Sequence, residues 1–261
     1  MSTSNKNVFA ITSIFDQPNR EISLPCKHIK HHPNALGLTD PPTQDSITIT
    51  EQDLLDAYMN ITYPSLERYA NFYNFDIRFI KEVHKDFEHL TNVHRKSLQW
   101  QTKLYIVKDY AKEYNNIIIS DFDIIIKSYG DVLKYTDKLG LITKSNIEGR
   151  YKKPIKILNE LLGKKVDQFY KMSMFYLPQK FKDIFATELS SNEYKDILND
   201  TQTHVNNDEI IANYIIQKHE LPVFPINKVI KFLHYGGDDL KAKIIQLNDE
   251  YFKFKKYFSY I

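Results

Sequence analysis

Residues 115–126 read Asn-Asn-Ile-Ile-Ile-Ser-Asp-Phe-Asp-Ile-Ile-Ile, so two isoleucine runs flank a pair of carboxylates, Asp121 and Asp123. Apolar runs of this kind are typical of strands buried on both faces, as in a parallel sheet covered by helices. A carboxylate buried there without a partner costs several kcal/mol or more, so the pair needs a cation, hydrogen-bond donors or solvent. Because side chains alternate along a strand, both aspartates point to the same side, where one metal ion could meet them.

Two other interpretations of the aspartate pair stay open. The strand could end near Ser120, which would leave both aspartates as solvated loop residues or helix caps. Haloacid-dehalogenase phosphatases also carry Asp-x-Asp after an apolar strand, but their motif usually continues into Gly-Thr near the N-terminus. Here Ile124 and Ile125 follow the pair in mid-chain. A metal-binding pair is therefore the favoured interpretation.

Length and composition narrow the class of protein. A chain of 261 residues can bury a sizeable core, and we expect one domain over residues 1–261. The 35 Lys and Arg against 33 Asp and Glu leave a formal charge of +2, so no nucleic-acid partner is expected. The single cysteine, Cys26, allows no internal disulfide. No stretch approaches about 18 uninterrupted apolar residues, which predicts a cytoplasmic protein without a signal peptide or transmembrane helix.

The N-terminal part contains a predicted strand at residues 8–15 and then a long proline-rich loop at residues 16–49. Five prolines lie within residues 16–42, and loops of such length are usually functional or disordered. One cysteine and three histidines of this loop could suggest a zinc site: Cys26, His28, His31 and His32. The closed four-ligand spacing of structural zinc sites is missing, so zinc is not expected here.

Helical and strand patterns alternate through the middle of the chain. The predicted order is a helix over 50–61, a helix reaching 73, a strand over 75–80, a helix over 97–114, the isoleucine strand, a short helix and a strand within 131–144, a loop and helix within 145–168, and a strand over 170–177. This alternation predicts an α/β fold with a mostly parallel central sheet flanked by helices. Ligands of such sheets bind at the carboxyl ends of the strands, where Asp121 and Asp123 are expected to emerge.

A second acidic segment opens a predicted helix at residues 206–216. Asparagines stand at the cap positions, and Asp208 and Glu209 lie in the first turn. Plain helix capping explains these acids as well as a functional role does. The sequence therefore leaves both interpretations open.

A histidine follows a predicted strand at residues 229–233. His234 is followed by Gly236 and Gly237, which would let the backbone approach a ligand closely. The alternative is a turn with a solvated histidine. Only the aspartate pair upstream favours a functional role.

The chain resembles the metal-dependent glycosyltransferases of the GT-A fold, most nearly the family 8 group of glycogenin and bacterial galactosyltransferases. The resemblance covers roughly residues 7–241 and centres on residues 100–123. It implies a Rossmann-like GT-A fold in which Asp121 and Asp123 hold Mn²⁺ or Mg²⁺ against the nucleotide diphosphate of a sugar donor, while Asp121 also contacts the ribose. Lys103, which lies 18 residues before Asp121, is similar to the family's donor-contacting basic residue.

The resemblance also implies roles for residues elsewhere in the chain. Asp208, Glu209 and Asn213 look like the family's Asp-Gln-x-x-Leu-Asn segment, with Glu in place of Gln, and would touch donor-sugar or acceptor hydroxyls. His234 is similar to the opening of the family's His-x-Gly-x-x-Lys-Pro-Trp motif and would be the third metal ligand. The further donor contacts that the resemblance implies are Ala10, Ile11, Thr12, Phe122, Gly236, Gly237 and Lys241.

Two segments depart from the family pattern. Asp239 stands where the family carries lysine, Lys241 lies two residues further on, and no Pro-Trp follows. Residues 170–174 read Tyr-Lys-Met-Ser-Met where many relatives carry Asn-x-Gly. Donor and acceptor contacts at these two places are expected to differ from those of the family.

The function implied by the resemblance is transfer of a hexose from a nucleotide-diphosphate sugar, with UDP expected, to a hydroxyl of a glycan, glycoprotein or lipid-linked acceptor. A divalent ion would stabilise charge on the departing diphosphate. The resemblance favours retention of the anomeric configuration, whereas inversion would need a general base, for which Asp208 or Glu209 is the candidate. A non-catalytic nucleotide-sugar-binding protein is the alternative, supported by the altered Lys-Pro-Trp segment.

The C-terminal residues 251–261 interleave aromatic and basic side chains. They could dock peripherally on an anionic membrane surface, and a terminal helix packed on the domain is the favoured alternative. The sequence predicts no oligomeric state.

Overall fold

The isoleucine run forms two strands, the first of which lies within a six-stranded sheet of the computed structural model. The structure describes residues 6–14, 18–25, 46–87, 95–143, 151–201 and 207–234. In chain order the elements are β1 (Asn7–Thr12), β2 (Glu21–Pro25), β3 (Ser46–Thr50), α1 (Glu51–Ile61), α2 (Tyr63–Phe72), β4 (Asp76–Ile80), α3 (Arg95–Tyr105), α4 (Val107–Glu113), β5 (Asn116–Asp121), β6 (Ile124–Ser128), β7 (Leu139–Thr143), α5 (Lys152–Leu162), β8 (Tyr170–Leu177), α6 (Gln179–Ser190), α7 (Asn192–Thr201), α8 (Asn207–Lys218), β9 (Val223–Pro225), α9 (Ile226–Val229) and β10 (Lys231–His234).

The six-stranded sheet has the order β4-β1-β5-β8-β7-β9. The pairs β1 with β4, β1 with β5, and β7 with β9 are parallel, whereas β8 pairs antiparallel with both β5 and β7. Five strands therefore run in one direction and β8 alone runs against them. The predicted α/β class with a mostly parallel central sheet flanked by helices is confirmed.

Strand β5 is buried on both faces, as the sequence predicts. Ile117, Ile118 and Ile119 are fully buried, and their neighbours on either side are the buried strands β1 and β8. Burying three isoleucine side chains is worth roughly 5–9 kcal/mol in transfer free energy, so this strand is firmly held in the core. The core therefore fixes the position of Asp121, which lies at the carboxyl end of this strand.

The chain divides into two compact units that are each built from separate segments. The first unit contains Met1–Ile14, Ala70–Asp121 and Ser128–Lys231, and the second contains Phe15–Tyr69, Phe122–Lys127 and Phe232–Ile261. The six-stranded sheet belongs to the first unit. One domain over residues 1–261 stays a prediction.

The second unit contains a β-hairpin where the sequence predicts only a loop over residues 16–49. β2 and β3 pair antiparallel, with Glu21 opposite Thr50. The two strands alternate apolar and polar residues, a pattern that the prolines around them obscure. Helix α1 then begins at once, because Thr50 and Asp53 form a capping box. The residues of the proposed and rejected zinc site, 26–32, lie outside the described residues.

The helices follow the predicted pattern with two differences. Residues 97–114 form two helices rather than one, because the Ile106 carbonyl accepts from both Asp109 N–H and Tyr110 N–H and tightens the turn there. The strand predicted at 229–233 starts later, since α9 covers its first residue and β10 begins at Lys231. Within the described ranges no helix is long and apolar enough to cross a membrane.

Candidate functional site

A buried lysine connects the end of a central strand with the start of a helix. Asp121 ends β5, and Lys103 reaches it from the last turn of α3. The Lys103 Nζ atom lies 2.9 Å from Asp121 Oδ1 and 3.2 Å from Asp208 Oδ2, at the first turn of α8. Lys103 is 4% exposed. This cluster of Lys103, Asp121 and Asp208, together with Glu209, is called the ion cluster below.

The charges of the ion cluster depend on each other. Burial lowers the pKa of Lys103, but the carboxylates of Asp121 and Asp208 outweigh burial and raise that pKa overall, so the ammonium stays protonated. Burial raises the pKa of Asp208, and the Lys103 ammonium opposes that effect. Two carboxylates share one ammonium, so the cluster can accept a further positive group.

Helix α8 is buried along most of its length, which explains why its first acids are not ordinary solvated caps. Its residues from Asn207 to Ile216 are all buried. Asp208 is 3% exposed and Glu209 is 6% exposed, although acidic residues are rarely buried to this extent. The first turn favours negative charge through the helix dipole, but the carboxylate of Asp208 pairs with another helix. Plain capping therefore does not account for the arrangement.

Glu209 lies beside the ion pair without a cation of its own. Its Oε1 atom accepts from Met172 N–H at 3.3 Å, whereas its buried Oε2 atom has no hydrogen-bond partner among the described residues. Burial and then the neighbouring Asp208 charge raise the pKa of Glu209 to about 7. A carboxyl group with a free oxygen and a pKa near neutrality can accept or donate a proton at physiological pH.

Asn213 fixes α8 to the first residue of β8. Its Oδ1 atom accepts from Tyr170 N–H at 2.8 Å, and its Nδ2 atom donates to Tyr170 O at 2.8 Å and to Glu209 O at 2.7 Å. Both amide hydrogens are therefore used by the main chain. A sugar contact by Asn213 stays a prediction, and it would require one of these bonds to open. The segment that departs from the family's Asn-x-Gly thus anchors the helix that carries Asp208.

A tight turn follows Asp121 and carries the second aspartate. Phe122 and Asp123 form this turn before β6 begins. The Phe122 carbonyl accepts from the Thr62 hydroxyl at 2.6 Å, and the Phe122 ring lies 5.6 Å from the ring of Tyr58. Phe122 is buried by these contacts. The aspartates are thus fixed by a turn, whereas the sequence predicts strand alternation.

The three predicted metal ligands lie close together. The potential ligand atoms of Asp121, Asp123 and His234 are within 4.8 Å of one another, and His234 Nε2 lies 3.2 Å from Asp123 Oδ1. His234 ends β10 and is half-buried. Two carboxylates and an imidazole are a donor set that suits Mn²⁺ or Mg²⁺ better than a thiolate-seeking metal. The residues therefore fit a divalent cation.

The other predicted donor contacts lie in different surroundings. Thr12 is paired in register with Asp121, and its buried hydroxyl has no hydrogen-bond partner in the part of the chain that the structure describes. Ala10 and Ile11 are fully buried inside β1, so Thr12 is the residue of this strand that is partly exposed at its end. The predicted contacts at Gly236, Gly237 and Lys241, and the segment 251–261, lie outside the described residues.

Sequence reasoning missed two buried amides on the helices of the ion cluster. Gln101 lies two residues before Lys103, and Asn207 lies directly before Asp208. Both residues are fully buried, and within the described ranges their side-chain amide nitrogens have no hydrogen-bond partner. The available signal was that Gln101 and Asn207 lie close in sequence to predicted site residues. This signal becomes informative only because α3 and α8 are buried at these positions.

Comparison with known proteins adds structural likenesses at low sequence identity. No protein-family model matches the sequence, and no curated protein matches it. A glycosyltransferase involved in the glycosylation of the major capsid of PBCV-1 is 9% identical over 93% of this chain and 99% of its own, with a TM-score of 0.48. Mouse xyloside xylosyltransferase 1 is 8% identical over 84% of each chain, with a TM-score of 0.44. The bifunctional glycosyltransferase WbbM is 13% identical over 94% of this chain and 50% of its own, with a TM-score of 0.39.

These three solved structures are glycosyltransferases, but their TM-scores are too low to assign a function to this chain. The GT-A assignment and the family 8 relationship stay predictions.

Proposed function

We propose that this protein is a metal-dependent glycosyltransferase that transfers a hexose from a nucleotide-diphosphate sugar to a hydroxyl acceptor. The observation that carries the proposal is the ion cluster, in which Lys103 Nζ contacts Asp121 at 2.9 Å and Asp208 at 3.2 Å. Burying these charges opposes folding, and groups with strongly shifted pKa values are concentrated at functional sites. The carboxyl ends of parallel strands are also where α/β sheets bind ligands.

In this proposal Asp121, Asp123 and His234 hold the divalent ion, with Mn²⁺ or Mg²⁺ expected. The support is the closeness of their ligand atoms and the chemistry of the donor set. When bound, the ion would supply Lewis-acid stabilisation of the charge on the departing diphosphate.

Lys103 supplies a permanent positive charge beside the leaving group. Its ammonium is already oriented by two carboxylates, so it would need little reorganisation when negative charge develops on the diphosphate. The unpartnered Thr12 hydroxyl offers the donor a hydrogen bond at the neighbouring strand end. Nucleotide contacts by Ala10, Ile11 and Phe122 would have to be made around this strand end and turn.

Asp208 and Glu209 would act on the sugar and the acceptor. Asp208 is held by Lys103 and would orient hydroxyl groups. Glu209, with its unpartnered oxygen and a pKa of about 7, is suited to take a proton from an acceptor hydroxyl if the reaction inverts the anomeric carbon. Retention through front-face attack needs no such base, and the family resemblance favours it.

The finer features of the proposal rest on the resemblance alone. They are UDP as the nucleotide, a glycan, glycoprotein or lipid-linked acceptor, and a cytoplasmic location. Analysis of the anomeric configuration of the product by NMR would distinguish retention from inversion.

The first test is ligand binding by the full chain. We expect UDP and Mn²⁺ together to raise the melting temperature, because a ligand present at about 100 times its Kd stabilises the folded state by about 2.7 kcal/mol. Each ligand alone should give a smaller shift. Release of UDP from a panel of nucleotide sugars, measured with and without Mn²⁺, then tests turnover.

A pair of matched double variants assigns the effect to the site. We expect Asp121→Asn with Asp123→Asn to lower metal-dependent UDP release at least about a hundredfold. Asp183→Asn with Asp196→Asn removes the same charge from exposed positions on α6 and α7 and should leave release unchanged.

Three other outcomes would contradict the proposal in different ways. Metal-dependent nucleotide binding without release of nucleotide would favour the non-catalytic binding protein. Release of phosphate from simple phosphomonoesters would favour the phosphatase. The absence of any melting shift with UDP, GDP or ADP in the presence of Mn²⁺ would argue against nucleotide-sugar chemistry altogether.

A further inference from the structure

Helix α5 and the residues after it present an unusual concentration of lysines. Residues 151–165 contain five lysines and one glutamate, a formal charge of +4, whereas the whole chain carries +2. The remaining residues therefore sum to a net negative charge. The lysines are all exposed, and they are Lys152, Lys153, Lys156, Lys164 and Lys165. This group is called the lysine row below.

The lysine row is displayed by a firmly packed helix. On the opposite face of α5, Pro154, Ile155 and Leu158 are buried in the core. Gly163 ends the helix with φ 61°, a left-handed conformation that favours glycine. The Asn159 side chain then accepts from Val166 N–H at 2.8 Å, which holds the chain after the turn. At about 1.5 Å per residue α5 extends roughly 16 Å, and Lys164 and Lys165 follow after its end.

The charges of the lysine row are scarcely neutralised by the protein. Lys156 lies 3.7 Å from Glu160, and both side chains are mostly exposed, at 78% and 64%. Within the described part of the chain, the other four lysines form no ion pair. By contrast, Lys103 and Lys218 each contact two carboxylates. The row is therefore available to an external partner with negative charge.

We propose that the lysine row docks the protein on an anionic membrane surface. Ammonium groups on flexible stems suit a diffuse layer of anionic head groups, which attract each nearby lysine. The partly buried Ile157 lies beside the row and offers apolar contact at the interface. The exposed positions of α5 carry no aromatic side chain, so the stacking surface that binds single-stranded nucleic acid is lacking on this helix.

Vesicle sedimentation of the full chain tests the proposal. We expect binding to phosphatidylcholine vesicles that contain about 30% phosphatidylglycerol, and no binding to pure phosphatidylcholine. At about 1 kcal/mol per lysine, replacing Lys153, Lys156 and Lys164 with glutamine should lower the partition coefficient by roughly a hundredfold. Raising the salt from about 0.1 M to about 0.5 M should weaken binding of the unchanged protein, because the charges are then screened.

A matched control removes three exposed lysines from other elements. Lys138→Gln, Lys195→Gln and Lys228→Gln together cause the same change in net charge and should retain vesicle binding. Equal melting temperatures of the two triple variants would show that both are folded. The proposal goes beyond the glycosyltransferase function, and UDP-dependent stabilisation should be the same in both variants.

Three results would overturn this inference. The first is equal loss of vesicle binding in both triple variants, which would indicate net charge rather than a defined surface. The second is loss of binding on deletion of residues 251–261 while the lysine-row variant binds normally, which would assign docking to the C-terminal segment. Binding to duplex DNA or heparin but not to vesicles would equally contradict a membrane partner.

Discussion

The two ends of helix α8 carry similar charged residues in opposite surroundings. At its start Asp208 and Glu209 are 3% and 6% exposed. The buried Lys103 ammonium there contacts the carboxylates of Asp121 and Asp208. At its end Lys218 contacts Glu188 at 3.1 Å and Glu193 at 2.6 Å, with the Glu193 side chain 47% exposed. The first arrangement is largely desolvated, whereas the second is partly solvated, with the Lys218 side chain 32% exposed and that of Glu188 13% exposed.

The difference shows in the pKa values of the carboxyl groups. Burial raises the pKa of Asp208, and burial followed by the Asp208 charge raises that of Glu209. Hydrogen bonds from Lys218 and Tyr214 lower the pKa of Glu193. The carboxylates at the start of α8 therefore oppose folding at neutral pH, whereas the Glu193 carboxylate at its end contributes slightly to stability. An arrangement that costs stability is typical of a functional site.

The largest effect that would test this comparison is loss of the buried ammonium. Lys103→Met leaves the buried Asp208 and the partly buried Asp121 without their shared cation, so we expect the free energy of unfolding to fall by about 3–5 kcal/mol at pH 7. Lys218→Met at the other end of the helix should cost less than about 1 kcal/mol, because Glu193 is half exposed and Glu188 keeps its contact with His219. Urea unfolding followed by circular dichroism measures both values.

A second substitution distinguishes the effect of the lost Lys103 charge from the effect of changed packing at position 103. Adding Asp208→Asn to Lys103→Met should recover part of the lost stability, since one buried carboxylate is then neutral. Equal stability losses for Lys103→Met and Lys218→Met would refute the contrast between the two helix ends.

The next effect concerns the amide that holds the buried half of α8. Asn213→Ala removes three hydrogen bonds to main-chain groups of Tyr170 and Glu209, so we expect a loss of about 2–4 kcal/mol. Gln217→Ala, on the last turn of the same helix, should change stability by less than about 0.5 kcal/mol. Urea unfolding provides the measurement. A similarly small loss of stability in both variants would show that the main-chain groups of Tyr170 form hydrogen bonds with water when the Asn213 amide is removed.

The role of Asn213 illustrates which parts of the site the sequence could predict. The isoleucine run around Asp121 has a local pattern with a direct physical meaning, so its buried strand and the carboxylates at its end were predictable. Lys103 was found only through the family resemblance. The contact of Asn213 with Tyr170 spans 43 positions, and no local pattern encodes a contact of that range.

The fold shows the same limit. The α/β class and the capped start of α1 at Thr50 follow from periodicity and capping chemistry. The β2 and β3 hairpin was missed because prolines around residues 21–25 suggested a loop, although the strand pairs satisfactorily with residues 46–50. The break between α3 and α4 at Ile106 has no glycine or proline to mark it. Tertiary contacts decide such features.

At Glu209 we expect a smaller effect, in which a substitution raises the free energy of unfolding instead of lowering it. The folded-state pKa is about 7 against an ordinary 4.5, so the folded protein binds the proton more tightly. That contribution to stability is fully present below about pH 4.5 and is lost as the pH rises through 7. Glu209→Gln should therefore be more stable than the unchanged protein by about 1–3 kcal/mol at pH 8 and nearly equal at pH 5. The unsatisfied amide hydrogens of glutamine limit the gain.

Urea unfolding between pH 5 and pH 8 measures this difference. The unchanged protein should lose stability across this range more steeply than Glu209→Gln. Parallel stability curves would mean that Glu209 titrates as it does in the unfolded chain, and the contrast between the two ends of α8 would then depend on Lys103 and Asp208 alone.

The smallest effect belongs to the solvated end of the helix. The pKa of Glu193 is lowered, so its contribution to stability is present above its ordinary value of 4.5 and is lost as the pH falls through the lower folded value. Glu193→Gln should therefore lower stability at pH 7, by less than about 1 kcal/mol because its side chain is half exposed. About 0.5 M salt should reduce that loss, since it screens exposed ion pairs. A gain in stability at pH 7 would show that the end of α8 is as strained as its start, and the difference between buried and solvated charges on this helix would no longer explain where the functional site lies.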